Sequence, residues 1–142
     1  MEVIKSELKR SLENALEDGK QVLMVGDFKA RTGEEMIGVG DQEEQRSSED
    51  KTINQEGRKL IELCERNGLK ILNGMVDGDR PGKFTSVNSR GAAVVDYLII
   101  KDSGMVKRMN IASRTDSDHL PLGWAIRSEC VVSLLNLRYK FF

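Results

Sequence analysis

Two features of the sequence predict an α/β fold. Apolar residues at helical spacing, Ile4, Leu8, Leu12, Ala15 and Leu16, lead directly into a continuous apolar run, Val22-Leu23-Met24-Val25. The first pattern is that of an amphipathic helix, and the second that of a buried strand with β-branched residues. A helix that packs back onto the strand following it is half of an α/β unit.

The elements follow in order. The first helix makes about four turns and ends where Gly19 can cap it, in the connection Asp18-Gly19-Lys20-Gln21. The Val22–Val25 strand stops at Gly26, which places Asp27 where a strand's carboxyl end opens into a loop. Residues 32–53 carry seven acids between Gly33 and Asp50 with almost no apolar periodicity, which predicts a long, flexible, solvated loop. The acids match no calcium-loop spacing. Leu60, Ile61, Leu63 and Cys64 predict a helix over residues 55–66, with Asn54 as N-cap and Asn67-Gly68 as its end. Leu69–Leu72 reads as a short strand, Val76–Gly82 as a turn-rich loop, and Phe84–Val87 as a further strand. Asn88-Ser89-Arg90-Gly91 makes a tight connection to a returning strand, Ala92–Ile100. Met105–Ile111 reads as a weaker strand or bent loop, and Leu120–Ile126 as the strand that closes the sheet. Residues 128–142, with Val131-Val132-Ser133-Leu134-Leu135, form a tail that suggests a short helix.

Composition narrows the class. A chain of 142 residues with 39% hydrophobic and 32% charged residues suits one modest globular domain. No apolar run is long enough to span a bilayer, and the first residues lack a signal core. An intracellular protein, nuclear or cytoplasmic, with no membrane partner is the expectation. Cys64 and Cys130 have no framework spacing, and Cys64 reads as a buried free thiol. Charge is uneven: residues 1–79 hold 12 basic and 18 acidic side chains (−6), and residues 80–142 hold 10 and 5 (+5). The basic half would favour a phosphate backbone.

Three stretches carry the chemistry. Val25-Gly26-Asp27-Phe28-Lys29 puts a carboxylate at a strand end, where oxygen ligands for a hard cation gather. Val95-Asp96-Tyr97-Leu98-Ile99 holds one acid inside an apolar strand, and a buried carboxylate needs a partner. Ser117-Asp118-His119-Leu120-Pro121-Leu122 contains the only histidine. Each has a plain alternative. Gly26-Asp27 is good turn chemistry, Asp96 suits a strand-edge acid facing solvent, Asp118 a loop cap, and His119 a packed core histidine.

In this order the three stretches resemble the endonuclease/exonuclease/phosphatase superfamily, and most closely the apurinic-type endonuclease domain of non-LTR retrotransposons. Asn54-Gln55-Glu56-Gly57-Arg58, Cys64-Glu65-Arg66-Asn67-Gly68-Leu69 and Gly82-Lys83-Phe84-Thr85 add to the likeness, which covers residues 4 to 127. The resemblance implies a deoxyribonuclease-I-like α/β sandwich and metal-dependent hydrolysis of DNA phosphodiester bonds. It implies magnesium, with manganese as substitute. Asp27 would bind or activate the attacking water and ligate metal. Asp118 would be the metal-side aspartate, His119 would contact the scissile phosphate, and Asp96 would orient His119.

Two departures temper the expected activity. Lys29 stands where the family's Gly-Asp-Phe-Asn motif has asparagine, and it would either pair with Asp27 or contact phosphate. The matched region also resembles only the C-terminal half of the family domain, without the metal-binding glutamate of the first half. Glu2 and Glu7 lie on the opening helix. One mainly antiparallel or mixed sheet with flanking helices is therefore expected, with weak metal binding and weak or no turnover. Its inner face, including Val22, Met24, Val94, Leu98 and Ile100, would be exposed to self-association or a partner. The rival readings are a non-catalytic nucleic-acid-binding or protein-interaction remnant, and a phosphatase of the same superfamily.

Overall fold

The computed structural model describes residues 2–17, 21–35, 46–101, 103–112, 117–126 and 132–136. Helix α1 (Glu2–Glu17) precedes strand β1 (Gln21–Asp27), the strand on which the rest is assembled. The proposed Gly19 cap lies outside the described residues. Helix α2 (Gln55–Asn67) follows, with Asn54 as N-cap and Gly68 as a left-handed C-cap at φ 64°. Next come β2 (Lys70–Ile71), β3 (Ser86–Asn88), β4 (Gly91–Ala93), β5 (Asp96–Ile100), β6 (Val106–Ile111), β7 (Leu122–Ile126) and β8 (Val132–Asn136). Helices and mixed sheets make this an α/β protein.

The main sheet has the order β2-β5-β1-β8. Strands β1 and β5 are antiparallel, in register from Leu23 opposite Ile100 to Asp27 opposite Asp96. Strand β8 runs parallel to β1, from Gln21 opposite Val132 to Val25 opposite Asn136. Two antiparallel pairs, β3-β4 and β6-β7, form separate small sheets.

Both faces of the main sheet are covered. Val22, Met24, Tyr97 and Ile99 pack against Leu12 and Ala15 of α1 and Leu60, Ile61 and Cys64 of α2. The alternate residues Leu23, Val25, Leu98 and Ile100 pack against Met105, Val106, Met109 and Ile111. Each large apolar side chain taken out of water contributes roughly 1.5–3 kcal/mol.

Several expectations are corrected. The apolar face is not exposed: Val22, Met24, Val94, Leu98 and Ile100 are all buried. The β6 segment covers one side of the sheet, while α1 and α2 cover the other. Leu122–Ile126 pairs with β6 and does not close the main sheet. Residues 132–136, expected in a tail, are a strand of that sheet. The single strand Ala92–Ile100 is two strands, because side chains take the backbone amides between them. Val94 N donates to Asp50 Oδ2 at 3.0 Å, and Val95 N to Thr85 Oγ1 at 3.0 Å.

The flanks of the acidic 32–53 stretch are built into the fold. Arg46, Ser48 and Asp50 are buried. Arg46 donates to the carbonyls of Asn73, Glu35 and Gly33 and to Thr32 Oγ1. Arg31 grips Asp50 with two hydrogen bonds, at 2.9 and 2.7 Å. Burial would raise the Asp50 carboxyl, but this bidentate contact and the amides of Val94 and Thr52 outweigh it and hold it below the usual range. Residues 36–45 lie outside the described residues.

Candidate active site

Asp27 and Asp96 are direct partners across β1 and β5. Side chains alternate along a strand, so both point to the face that carries Val25 and Leu98. Asp27 is 3% exposed and Asp96 is 7% exposed. Neither faces open solvent, and the strand-edge alternative for Asp96 is thereby corrected.

A turn follows Asp27. Its Oδ1 accepts the Lys29 amide at 2.8 Å. Lys29 has φ 49°, a left-handed conformation that asparagine tolerates better than lysine. The motif position thus has a backbone reason for asparagine that is separate from chemistry. The Lys29 side chain is exposed.

The loop after this turn is anchored by α2. Asn54 Oδ1 accepts both the Gly57 amide at 2.8 Å and the Arg31 amide at 3.0 Å. The Asn54 amide donates back to the Arg31 carbonyl at 3.0 Å. Gly57 makes room for that carbonyl, which would lie 1.8 Å from a Cβ. The Asn54–Gly57 stretch is therefore both the cap of α2 and the clamp on the strand-end loop.

His119 arrives from the opposite direction. Its loop lies along β3: Val87 N donates to the Asp118 carbonyl and Leu120 N to the Thr85 carbonyl, each at 2.8 Å. His119 Nδ1 is 2.8 Å from Asp96 Oδ2, and Nε2 is 3.7 Å from Asp27 Oδ2. The ring thus lies between the two carboxylates, with Nδ1 on the Asp96 side and Nε2 on the Asp27 side. Burial pushes the Asp96 carboxyl up, opposed by His119, while Asp27 beside it raises it further.

Thr85 ties the two halves of this pair together. It is fully buried, and its Oγ1 accepts the amides of Val95 and Asp96 at 3.0 and 3.1 Å. Its own carbonyl holds the residue after His119. Asn73 steadies the other side, donating to the Asp96 carbonyl and accepting the Leu98 amide, both at 3.0 Å. In the sequence Thr85 stands only within the Gly82–Thr85 stretch that carries the resemblance, and no local pattern marks Asn73.

Asp118 does not join the cluster. It is exposed, and its carboxylate is not in the group formed by Asp27, Asp96 and His119.

Beside the cluster lies a cleft of about 210 Å³, lined by Val25, Gly26, Asp96, His119, Leu122 and Trp124 among others. Among the described residues, Asp27, Asp96 and His119 present ligand atoms within 4.8 Å of one another and could hold a metal ion. The chain matches no protein-family model and no curated protein. No helix of the described residues is long and apolar enough to cross a membrane.

Proposed function

We propose that this chain is a DNA phosphodiester hydrolase of the endonuclease/exonuclease/phosphatase type, built on a deoxyribonuclease-I-like fold. One observation carries the reading: His119 sits between two buried carboxylates, 2.8 Å from Asp96 and 3.7 Å from Asp27. Those three residues come from the three stretches that carry the resemblance.

In this reading Asp96 fixes the imidazole so that Nε2 faces the substrate phosphate. Asp27 Oδ2, not engaged by the Lys29 turn, orients the attacking water and accepts its proton. Magnesium, when bound, neutralises charge on the phosphate. The donor set fits it through Asp27, because magnesium keeps its waters and takes few carboxylates beside substrate phosphate oxygens. Lys29, whose side chain is exposed, would meet the DNA backbone as a point charge. Turnover is expected to be slow, because Lys29 stands where the resembled motif has asparagine.

The test is nicking of supercoiled plasmid in magnesium. Slow nicking by the parent that disappears in His119→Ala and Asp96→Ala supports the reading. Nicking that persists in His119→Ala rejects it. The excess of basic side chains in residues 80–142 favours a second reading, nucleic-acid binding without turnover. That reading predicts salt-sensitive DNA retention by a parent that does not nick.

A further inference from the structure

We propose that the outer edge of β7 pairs antiparallel with β7 of a second copy of this chain, joining the two copies through one continuous sheet. Among the described residues β7 pairs only with β6, so its other edge has no strand beside it. The bond from the Ala112 amide to the Pro121 carbonyl, 2.9 Å, fixes which backbone groups β6 uses. Bonded and non-bonded pairs alternate along an antiparallel ladder, and the next pairs are Ile111 with Leu122, Asn110 with Gly123 and Met109 with Trp124. The amides and carbonyls of Leu122, Trp124 and Ile126 therefore turn to the outer edge. Natural edges are blunted by charged side chains, proline or a bulge. Leu122-Gly123-Trp124-Ala125-Ile126 has no charge and no proline, and the register shift of the pair lies between Val106 and Arg108, on β6.

The side-chain pattern selects a second copy as the occupant. A two-fold contact needs a surface that complements itself. Here large apolar residues alternate with Gly123 and Ala125, so the strand presents the same sequence of sizes from either end. A two-fold axis at Trp124 sets that residue opposite its own counterpart, Leu122 opposite Ile126, and Gly123 opposite Ala125. Residues opposed in a bonded pair exchange both hydrogen bonds, so every outward amide of this stretch meets a carbonyl. Leu122, Trp124 and Ile126 pack against the core yet stay half-buried. In the pair they meet large apolar residues on the same face, and the central tryptophans add an aromatic cross-strand contact.

The experiment has two readouts on the full chain. Sedimentation equilibrium should show monomer and dimer in exchange, with a dissociation constant on the order of 10–100 μM, as suits a small interface. Cysteine cross-linking then reads the register, in a Cys130→Ser background, since Cys64 is buried. Opposed residues of a bonded pair have Cα atoms about 5.5 Å apart, inside the disulfide range of about 4.4–6.8 Å. Under mild oxidation Trp124→Cys should link two chains. Ala125→Cys should not, because it meets its own counterpart only on the diagonal, at about 7–8 Å. Circular dichroism checks the fold of every variant. Where Trp124→Cys does not fold, Leu122→Cys and Ile126→Cys chains replace it: they should link when mixed, and neither alone. A parent that stays monomeric over the whole concentration range would overturn the proposal. So would linkage of Ala125→Cys as readily as Trp124→Cys, or a mixture of Leu122→Cys and Ile126→Cys that does not link.

Discussion

Gly57→Ala should unfold this protein more readily, although alanine is the better helix former. Gly57 lies in the first turn of α2, where alanine would ordinarily gain about 1 kcal/mol. Its Cβ, however, would stand 1.8 Å from the Arg31 carbonyl oxygen, when ordinary contact begins at 3.4 Å. The Arg31 backbone would have to withdraw by the difference, 1.6 Å. That movement breaks the hydrogen bond from the Asn54 amide to Arg31 O and the one from the Arg31 amide to Asn54 Oδ1, each now 3.0 Å. Two lost bonds cost about 1–3 kcal/mol, and overpacking about 1–3 more. Against the helix gain, a net loss of about 1–5 kcal/mol is expected. Urea denaturation followed by the fluorescence of Trp124 measures it. Gly68→Ala is the control: it meets no neighbour within 4 Å and carries only the strain of its φ of 64°, so it should lose about 1–2 kcal/mol. A Gly57→Ala protein as stable as the parent would refute the clamp.

Lys29→Asn should be more stable than Lys29→Ala by about 1 kcal/mol in the same assay, because both remove the lysine side chain and only asparagine is tolerated at φ 49°; equal midpoints would contradict this. Thr85→Val keeps the shape but strips the acceptor from two amides, and should cost about 1–3 kcal/mol and weaken the Asp96–His119 contact, seen as moved His119 ring signals by NMR at one fixed pH. Burial raises the Asp96 carboxyl above its unfolded value, so the folded chain holds that proton more tightly. The parent should therefore lose stability relative to Asp96→Asn as pH climbs from about 4 through the raised value, then hold a constant difference. Denaturation of both proteins across that range checks the sign, and a parent that gains stability relative to Asp96→Asn as pH rises would reverse the assignment.

Much of the fold and site could be read from local pattern. Val22–Val25 declared β1 by composition, and Asn54 and Gly68 bracketed α2 by cap chemistry. The Asp96–His119 contact was expected because a buried acid and a lone histidine need each other. What escaped depended on distant partners. Arg46 and Asp50 read as solvated because their acceptors and donors, Asn73, Thr32, Arg31 and Val94, are scattered along the chain. The interruption at Val94 and Val95 is invisible in a run of β-branched residues, since side chains elsewhere cause it. The bond from the Val87 amide to the Asp118 carbonyl is a distant pairing of the same kind, and no local pattern around Asp118 shows it.

The parallel pairing of β8 with β1 bears on how the chain acquires its shape during synthesis. Val22 waits for Ser133, a separation of 111 residues (133 − 22), whereas Leu23 meets Ile100 after 77 (100 − 23). The longer loop adds only about 0.3 kcal/mol of closure entropy, so the finished protein is barely penalised. Kinetics feel it more, because contacts this remote slow folding. Until β8 emerges from the ribosome, the strand that bears Asp27 presents one open row of amides and carbonyls. Such a row is a template for the wrong strand, including one from a neighbouring nascent chain. Aggregation during expression should therefore depend on whether residues 132–136 are present, even though they lie outside the candidate active site.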